Sequence, residues 1–342
     1  MHMSDGLISV EVGCTMWAIS AALAYFSTRK LSAAQQSKLL PMMGVLGAFI
    51  FSAQMLNFTI PMTGSSGHLG GGLILACLLG PWAGFLVMAC VLLVQALFFA
   101  DGGILALGCN LFNLGFFSCF IAYPLIYSPI AQQHLSTGRI CLASILAAVV
   151  GLQLVSLGVV CQTTASGISA LPLTDFLCFM QPIHLAIGLV EGFATAAVLL
   201  YVKKSQPSLL FDAKNFTQSN KHSFASLIGA FAIVALLCGT TISWFASSYP
   251  DGLEWSIASV LGHEEAELSA GSALHHQLAT AQESTSLMPD YALSSSAGET
   301  EEDSLINLET SLAGLLGSVL VLLTVCIIGF GIGQFNKRAR QS

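Results

Sequence analysis

Charge is what this 342-residue chain has least of: 8% of its residues are Asp, Glu, Lys or Arg, against 55% hydrophobic. Soluble domains carry about a quarter charged residues, so the composition excludes an ordinary soluble fold. With a net charge of −7 it also offers nothing to a nucleic acid. Other absences narrow the chemistry. No CxxC pair occurs among the ten cysteines, which fall almost entirely in apolar stretches; a disulfide framework and a thiolate metal site are both disfavoured, because free Cys behaves as a small hydrophobe. No Lys follows a Gly, so there is no phosphate-binding GxxxxGK[ST] loop, and His263-Glu264-Glu265 is not HExxH. If ATP drives this protein, the ATPase is another chain.

Long apolar runs are what the chain does have. They fall near 7–27, 41–57, 81–99, 103–127, 139–163, 182–202, 222–247 and 311–333, each of a length that suits about 30 Å of hydrocarbon. A ninth, shorter helix is predicted over 69–79. The fold class is therefore all-α: a polytopic membrane protein of about nine transmembrane helices. All eleven Lys and Arg lie at 29, 30, 38, 139, 203, 204, 214, 221, 337, 338 and 340. With nine helices and an external N-terminus, every one faces the cytoplasm, as the positive-inside bias requires; eight helices break the agreement after the second. Residues 249–310 hold twelve acidic residues and no Lys or Arg, which suits the opposite side. Arg29-Lys30 follow the first apolar run and none precedes it, the reverse of a signal peptide. The first helix is expected to be retained, with the N-terminus outside and the C-terminus cytoplasmic.

Two composition shifts divide the chain. Residues 205–221 read as a polar cytoplasmic linker, between a seven-helix unit at 1–204 and a two-helix hairpin at 222–338. Within the hairpin, the Ser-, Ala- and Glu-rich external loop 256–308 is expected to be largely disordered.

Met1-His2 can chelate a metal with three nitrogens: the α-amine, the His2 amide and the His2 imidazole. Bulky His2 should leave Met1 in place. A fourth nitrogen completes a square plane, the geometry of Ni(II) or Cu(II) rather than zinc. His68, in the loop 57–72 with glycines at 64, 67, 70, 71 and 72, is the candidate; glycines let such a backbone fold back closely. The bland reading is a surface histidine without a ligand. Polar residues in apolar surroundings are possible supports: Asp101, then Asn110 and Asn113 on one helical face, and His184 with Glu191 on another. A buried carboxylate is costly in a membrane, so Glu191 needs an interior partner; a structural hydrogen bond is weighed above a direct metal role. His263, His275 and His276 read either as cation collectors or as a solvated tail. Gly64-Ser65-Ser66-Gly67 fits the G-x-S-G of intramembrane serine proteases, with His184 as partner, but that reading has no use for Met1-His2.

The Met-His start before Asp5-Gly6, Gly67-His68-Leu69, Leu79-Gly80-Pro81-Trp82, Asp101-Gly102-Gly103 through Asn110 and Asn113, and His184 through Gly192 together resemble the CbiM/NikM family. These are the cobalt/nickel substrate-binding (S) components of energy-coupling factor (ECF) transporters. The resemblance covers about residues 1–204. It implies a metal held by the Met1 amine, the His2 amide and imidazole, and His68. It also implies a transmembrane coupling (T) component and two ABC-type ATPases as partners in the inner membrane. No resident cofactor and no enzyme activity are implied, since Ni(2+) or Co(2+) is the cargo. Met3 and Ser4 depart from the family's aliphatic residue and Pro. Pro250-Asp251-Gly252-Leu253-Glu254 resembles the PDGLE segment of NikN-type subunits, so 222–338 reads as that subunit fused on. Because every implied ligand precedes residue 69, the hairpin is expected to be dispensable for binding. An ATP-independent metal channel or carrier is the competing transport reading.

Overall fold

The computed structural model describes residues 2–31, 33–131, 136–210, 221–262, 272–293 and 308–338. Almost all of them are helical. Helix α1 (Val10–Lys30) starts where the Ser9 hydroxyl accepts the Val12 amide at 3.4 Å, and it ends on Arg29 and Lys30, cations that suit a helix C-terminus. Then come α2 (Ala33–Gln54), α3 (Gly72–Leu79) and α4 (Pro81–Phe98), the last opened by a proline at its first position. The fifth, α5 (Leu107–Ala131), has wide π-type turns from Leu111 to Tyr127. Helix α6 (Thr137–Ser166) closes on Gly167 in the left-handed conformation, and α7 (Leu173–Ser205) ends on Lys203 and Lys204. The C-terminal unit contributes α8 (Lys221–Thr240), α9 (Gly252–Leu261), α10 (Ala273–Thr285) and α11 (Leu308–Arg338).

Among the described residues, six helices are long and apolar enough to cross a membrane, with shorter apolar helices at 39–54 and 224–240. The expected ninth helix, 69–79, is corrected to the eight residues of α3. At 1.5 Å per residue these cover only about 12 Å, less than half the hydrocarbon thickness. Glycines 70–72 leave the preceding backbone irregular, and Gly80 at φ +82° stops the helix.

Without a hydrophobic drive between helices in lipid, close approach at small residues does the packing. Gly188 and Gly192 on α7 let its backbone lie against Val149 and Ile145 of α6. Gly239 of α8 and Gly314 of α11 lie backbone to backbone, Gly317 faces the Phe51 ring, and the Ser52 and Ser318 hydroxyls meet at 2.8 Å. The C-terminal unit is thereby packed onto α2.

The described part of the acidic segment 256–308 is more ordered than its composition suggests. Residues 252–261 and 273–285 are helical, and Pro289–Tyr291 form a turn, against the expectation of disorder over 256–308. Contacts with the first unit supply the burial that composition hides: Met288 is 1% exposed and Leu253 3%. His263 lies outside the described residues.

Candidate metal centre

The N-terminal segment is threaded into the bundle rather than left on its surface. Met3 is fully buried, its amide donates to Asn110 Oδ1 at 2.8 Å, and Asn110 Nδ2 returns a bond to the Met3 carbonyl at 3.1 Å. The Gly103 amide donates to the same carbonyl at 2.9 Å, and Asp5 Oδ1 accepts the Ala106 amide at 2.9 Å. Asn110 thus pairs with a backbone as a second strand would. Asn113 Nδ2 donates to Gln162 Oε1 at 2.8 Å and lies 3.7 Å from the Met3 sulfur. Met3 therefore fills a packed position.

His2 and His68 meet there. Their rings stack with centroids 5.3 Å apart and planes 16° from parallel, although 66 positions separate them. His2 Nδ1 lies 2.9 Å from Asp101 Oδ1, and buried His2 Nε2 has no hydrogen-bond partner among the described residues. His68 Nδ1 donates to the Leu69 carbonyl at 3.1 Å, which makes Nε2 the nitrogen that carries the lone pair. Burial, then repulsion from nearby positive charge including His2, pushes His68 down to about 3. It is a neutral imidazole at physiological pH, the form that coordinates metal. For Asp101, burial raises the carboxyl, but the His2 charge and the His2 and Tyr291 hydrogen bonds outweigh it and hold it well below the usual range. Met1 lies outside the described residues.

Glu191 has the interior partner its burial requires. Its two oxygens accept the amides of Gly70 at 2.7 Å and Gly71 at 3.1 Å, just before α3. Gln54 Nε2 donates to the Gly70 carbonyl at 2.9 Å, and Gln95 Nε2 donates to Gln54 Oε1 at 2.9 Å. Glu191 is thus a fastener of the loop that carries His68. His184 is also buried: Nδ1 donates to the Met180 carbonyl at 2.7 Å, and Nε2 has no partner among the described residues. Ser66 and His184 do not form a catalytic pair, since the Ser66 hydroxyl donates to the Tyr249 carbonyl at 2.8 Å.

Each residue of the Pro250–Glu254 motif has a local task. Asp251 Oδ1 accepts the Leu253 and Glu254 amides at 2.8 and 3.0 Å, while Glu254 Oε2 accepts the Asp251 amide at 3.0 Å; this is a capping box at the start of α9. A side chain at Gly252 would collide with Ile183 of α7. The Pro250 carbonyl accepts the Ser66 amide at 2.8 Å, beside the antiparallel pair β1 (Phe58–Ile60) and β2 (Ser65–Gly67). Burial raises the Asp251 carboxyl, but nearby positive charge and the Glu254 backbone hydrogen bond bring it well below normal; Glu254 is raised, first by burial and then by Asp251.

These elements enclose a polar cavity of about 380 Å³ lined by His2, His68 and Asp101 from the first unit and by Asp251, Glu254 and Tyr291 from the second. The hairpin, expected from the sequence to be dispensable for binding, forms part of the cavity wall. The sequence reading missed Gln54, Gln95, Asp251 as a wall residue, and Tyr291. The two glutamines were findable as amides in apolar helices; Tyr291 carried no local signal. Among the described residues no cluster of three or more His, Cys, Asp or Glu could hold a metal, so a site here draws on other donors.

Comparison with known proteins places this arrangement. Residues 2–209 match the CbiM family, described as the cobalt uptake substrate-specific transmembrane region, and residues 225–334 match the PDGLE domain. A protein of Archaeoglobus fulgidus named as a fused nickel transport protein, NikMN, is 30% identical over 99% of this chain and its own whole length. The cobalt transport protein CbiM of Sorangium cellulosum is 27% identical over 61% of this chain and 94% of its own. The crystal structure of a truncated transition metal transporter shares 29% identity, with a TM-score of 0.53, over 60% of this chain and 99% of that one. This chain is a helical membrane protein of the CbiM family, a family of nickel and cobalt transport proteins, and it carries a PDGLE domain at its C-terminal end.

Proposed function

We propose that this chain captures Ni(2+) or Co(2+) as the substrate-binding component of an ECF-type transporter, with a transmembrane coupling protein and two ATPases driving release inward. The observation that carries it is the stacked His2–His68 pair at a polar cavity. Four nitrogens hold the ion: the Met1 amine, the His2 amide, His2 Nδ1 and His68 Nε2. His2 Nδ1 faces Asp101, so chelation requires the ring to turn about its Cβ–Cγ bond. A half-turn presents the Nε2 edge to Asp101 and frees Nδ1, giving the carboxylate–His–metal order found at many sites.

The cavity lies at the ends of α2, α4 and α8, whereas Arg29, Lys30, Lys203 and Lys204 mark the far ends of their helices. This distribution supports an external site and a cytoplasmic C-terminus in the plasma membrane. An N-terminal extension tests the chelate. Adding one residue before Met1 should abolish stoichiometric metal binding with the protein still folded; unaltered binding would remove the three-nitrogen chelate. Reconstituted vesicles test the coupling: metal accumulation should require ATP and the partner subunits.

A further inference from the structure

Residues 272–293 lie across the α4–α5 connection in a way the proposed function does not explain. The segment is tied down along its length. His275, buried, has Nε2 2.9 Å from the Ile8 carbonyl. Gln282 Nε2 donates to the Ala96 and Gly102 carbonyls, each at 2.8 Å. The Leu287 and Met288 amides donate to the Phe98 carbonyl at 2.9 and 3.1 Å, and the Asp290 amide donates to the Phe99 carbonyl at 2.9 Å. These carbonyls end α4 and have no partner within that helix. Asp290 and Tyr291 both adopt positive φ, 50° and 63°, a rare conformation for residues with side chains. The turn stacks the Tyr291 ring on Phe99, centroids 5.0 Å apart and planes 20° from parallel, and its hydroxyl donates to Asp101 Oδ2 at 2.5 Å.

Asp101 is therefore held from both sides: Oδ2 by Tyr291 and Oδ1 against His2 Nδ1. We propose that Tyr291 is a positioning residue for the metal centre, acting on His2 through Asp101, and that the segment 272–293 exists to deliver its hydroxyl. The inference rests on the reading of His2 as a metal ligand. A carboxylate with both oxygens committed has a fixed orientation, and it offers the His2 ring a fixed acceptor: for Nδ1 in the metal-free protein, and for the Nε2 edge once the ring has turned to chelate. Partners of this kind typically change metal affinity about 10–100-fold when removed. Tyr291 acts only through Asp101, so the two losses should not add.

The test uses the full-length protein in detergent, with Ni(2+) and Co(2+) titrations of wild type, Tyr291→Phe, Asp101→Asn and the double variant. Tyr291→Phe keeps the ring on Phe99 and removes one hydroxyl. It should weaken binding about tenfold at an unchanged melting temperature, and the double variant should bind as Asp101→Asn does. In parallel, the ¹⁵N resonance of His2 Nδ1 in metal-free protein should move on Tyr291→Phe. That readout stands even if wild type binds neither metal, a result that would fell the metal-centre reading and not the Tyr291–Asp101–His2 link. Wild-type affinity in Tyr291→Phe, fully additive losses in the double variant, or an unmoved His2 resonance would each overturn the proposal.

Discussion

The Pro250 carbonyl accepts both the amide and the hydroxyl of Ser66, at 2.8 and 3.3 Å, across 184 residues of chain. Ser66 stands two positions before His68, so the PDGLE motif adds a short stretch of extended backbone to the strand that leads to His68. Ser247 does the same at the other end of the hairpin, its amide donating to the Asn57 carbonyl at 2.8 Å. The C-terminal unit therefore acts on the loop carrying His68 by backbone hydrogen bonds as well as by lining the cavity.

Truncation after residue 209 measures that action. The nitrogen donors all remain, so stoichiometric Ni(2+) binding should persist. Losing hydrogen bonds that contribute about 0.5–1.5 kcal/mol each should weaken affinity roughly tenfold and speed metal release. Isothermal titration of both lengths decides the matter. Equal affinity would show that the loop is held without the PDGLE unit, and complete loss in a folded truncation would mean that the unit supplies a ligand.

Substitutions should separate ligands from scaffold. His2→Ala and His68→Ala should each eliminate stoichiometric binding. Ser66→Ala removes the hydroxyl bond to Tyr249 but keeps the backbone bond to Pro250, so it should bind metal at full stoichiometry with a stability loss of about 1 kcal/mol. Metal bound normally by His68→Ala would remove the fourth nitrogen from the proposal.

How much of this was legible beforehand follows from the range of the signal. Helix positions came from local apolar runs, and the pairing of His2 with His68 came from asking which residues could complete a chelate begun at the N-terminus. Glu191 was legible as a carboxylate in need of an interior partner, though not that the partner would be the Gly70 and Gly71 amides. The Pro250–Ser66 and Tyr291–Asp101 bonds were not legible. Both join residues more than 180 positions apart, and one uses a backbone carbonyl that any residue would provide. The acidic excursion was misjudged because average composition cannot show that Met288 is inserted against α4.

Glu191 offers a sharper test of scaffold than any ligand. Its carboxylate accepts two amides at once, and no neutral side chain of that size has two acceptor oxygens. Glu191→Gln turns one acceptor into a donor facing an amide N–H, which should cost about 1–3 kcal/mol for each amide left unpaired. The expected result is a lower melting temperature and weaker metal binding, because the loop that carries His68 loses its fastening. Glu191→Gln with wild-type stability and weakened binding would instead assign the carboxylate to the metal.

Acid should act on this protein in two separable ways. Coordination needs the α-amine and the His2 amide to lose their protons, and α-amines titrate near pH 7.7–8.0 in model compounds. Metal affinity should therefore fall steeply from about pH 8 to about pH 6, with more than one proton released per ion and a binding heat that depends on the buffer. His68 takes no part in that competition, because it is neutral until about pH 3. Its effect is on stability. An unfolded chain protonates this imidazole below about 6.5 while the folded protein refuses the proton until about 3. The unfolded state thus binds more protons between those values, and stability rises with pH there. The depressed carboxyls of Asp101 and Asp251 act in the same direction but at lower pH, since an unfolded chain protonates them only at about 3.9; the window above pH 4 belongs to His68. Metal-free protein should accordingly lose melting temperature between pH 6.5 and 4, and His68→Ala should flatten part of that slope. An unchanged slope in His68→Ala would mean that His68 takes up its proton in the fold, which would in turn bring it into the metal competition above pH 6.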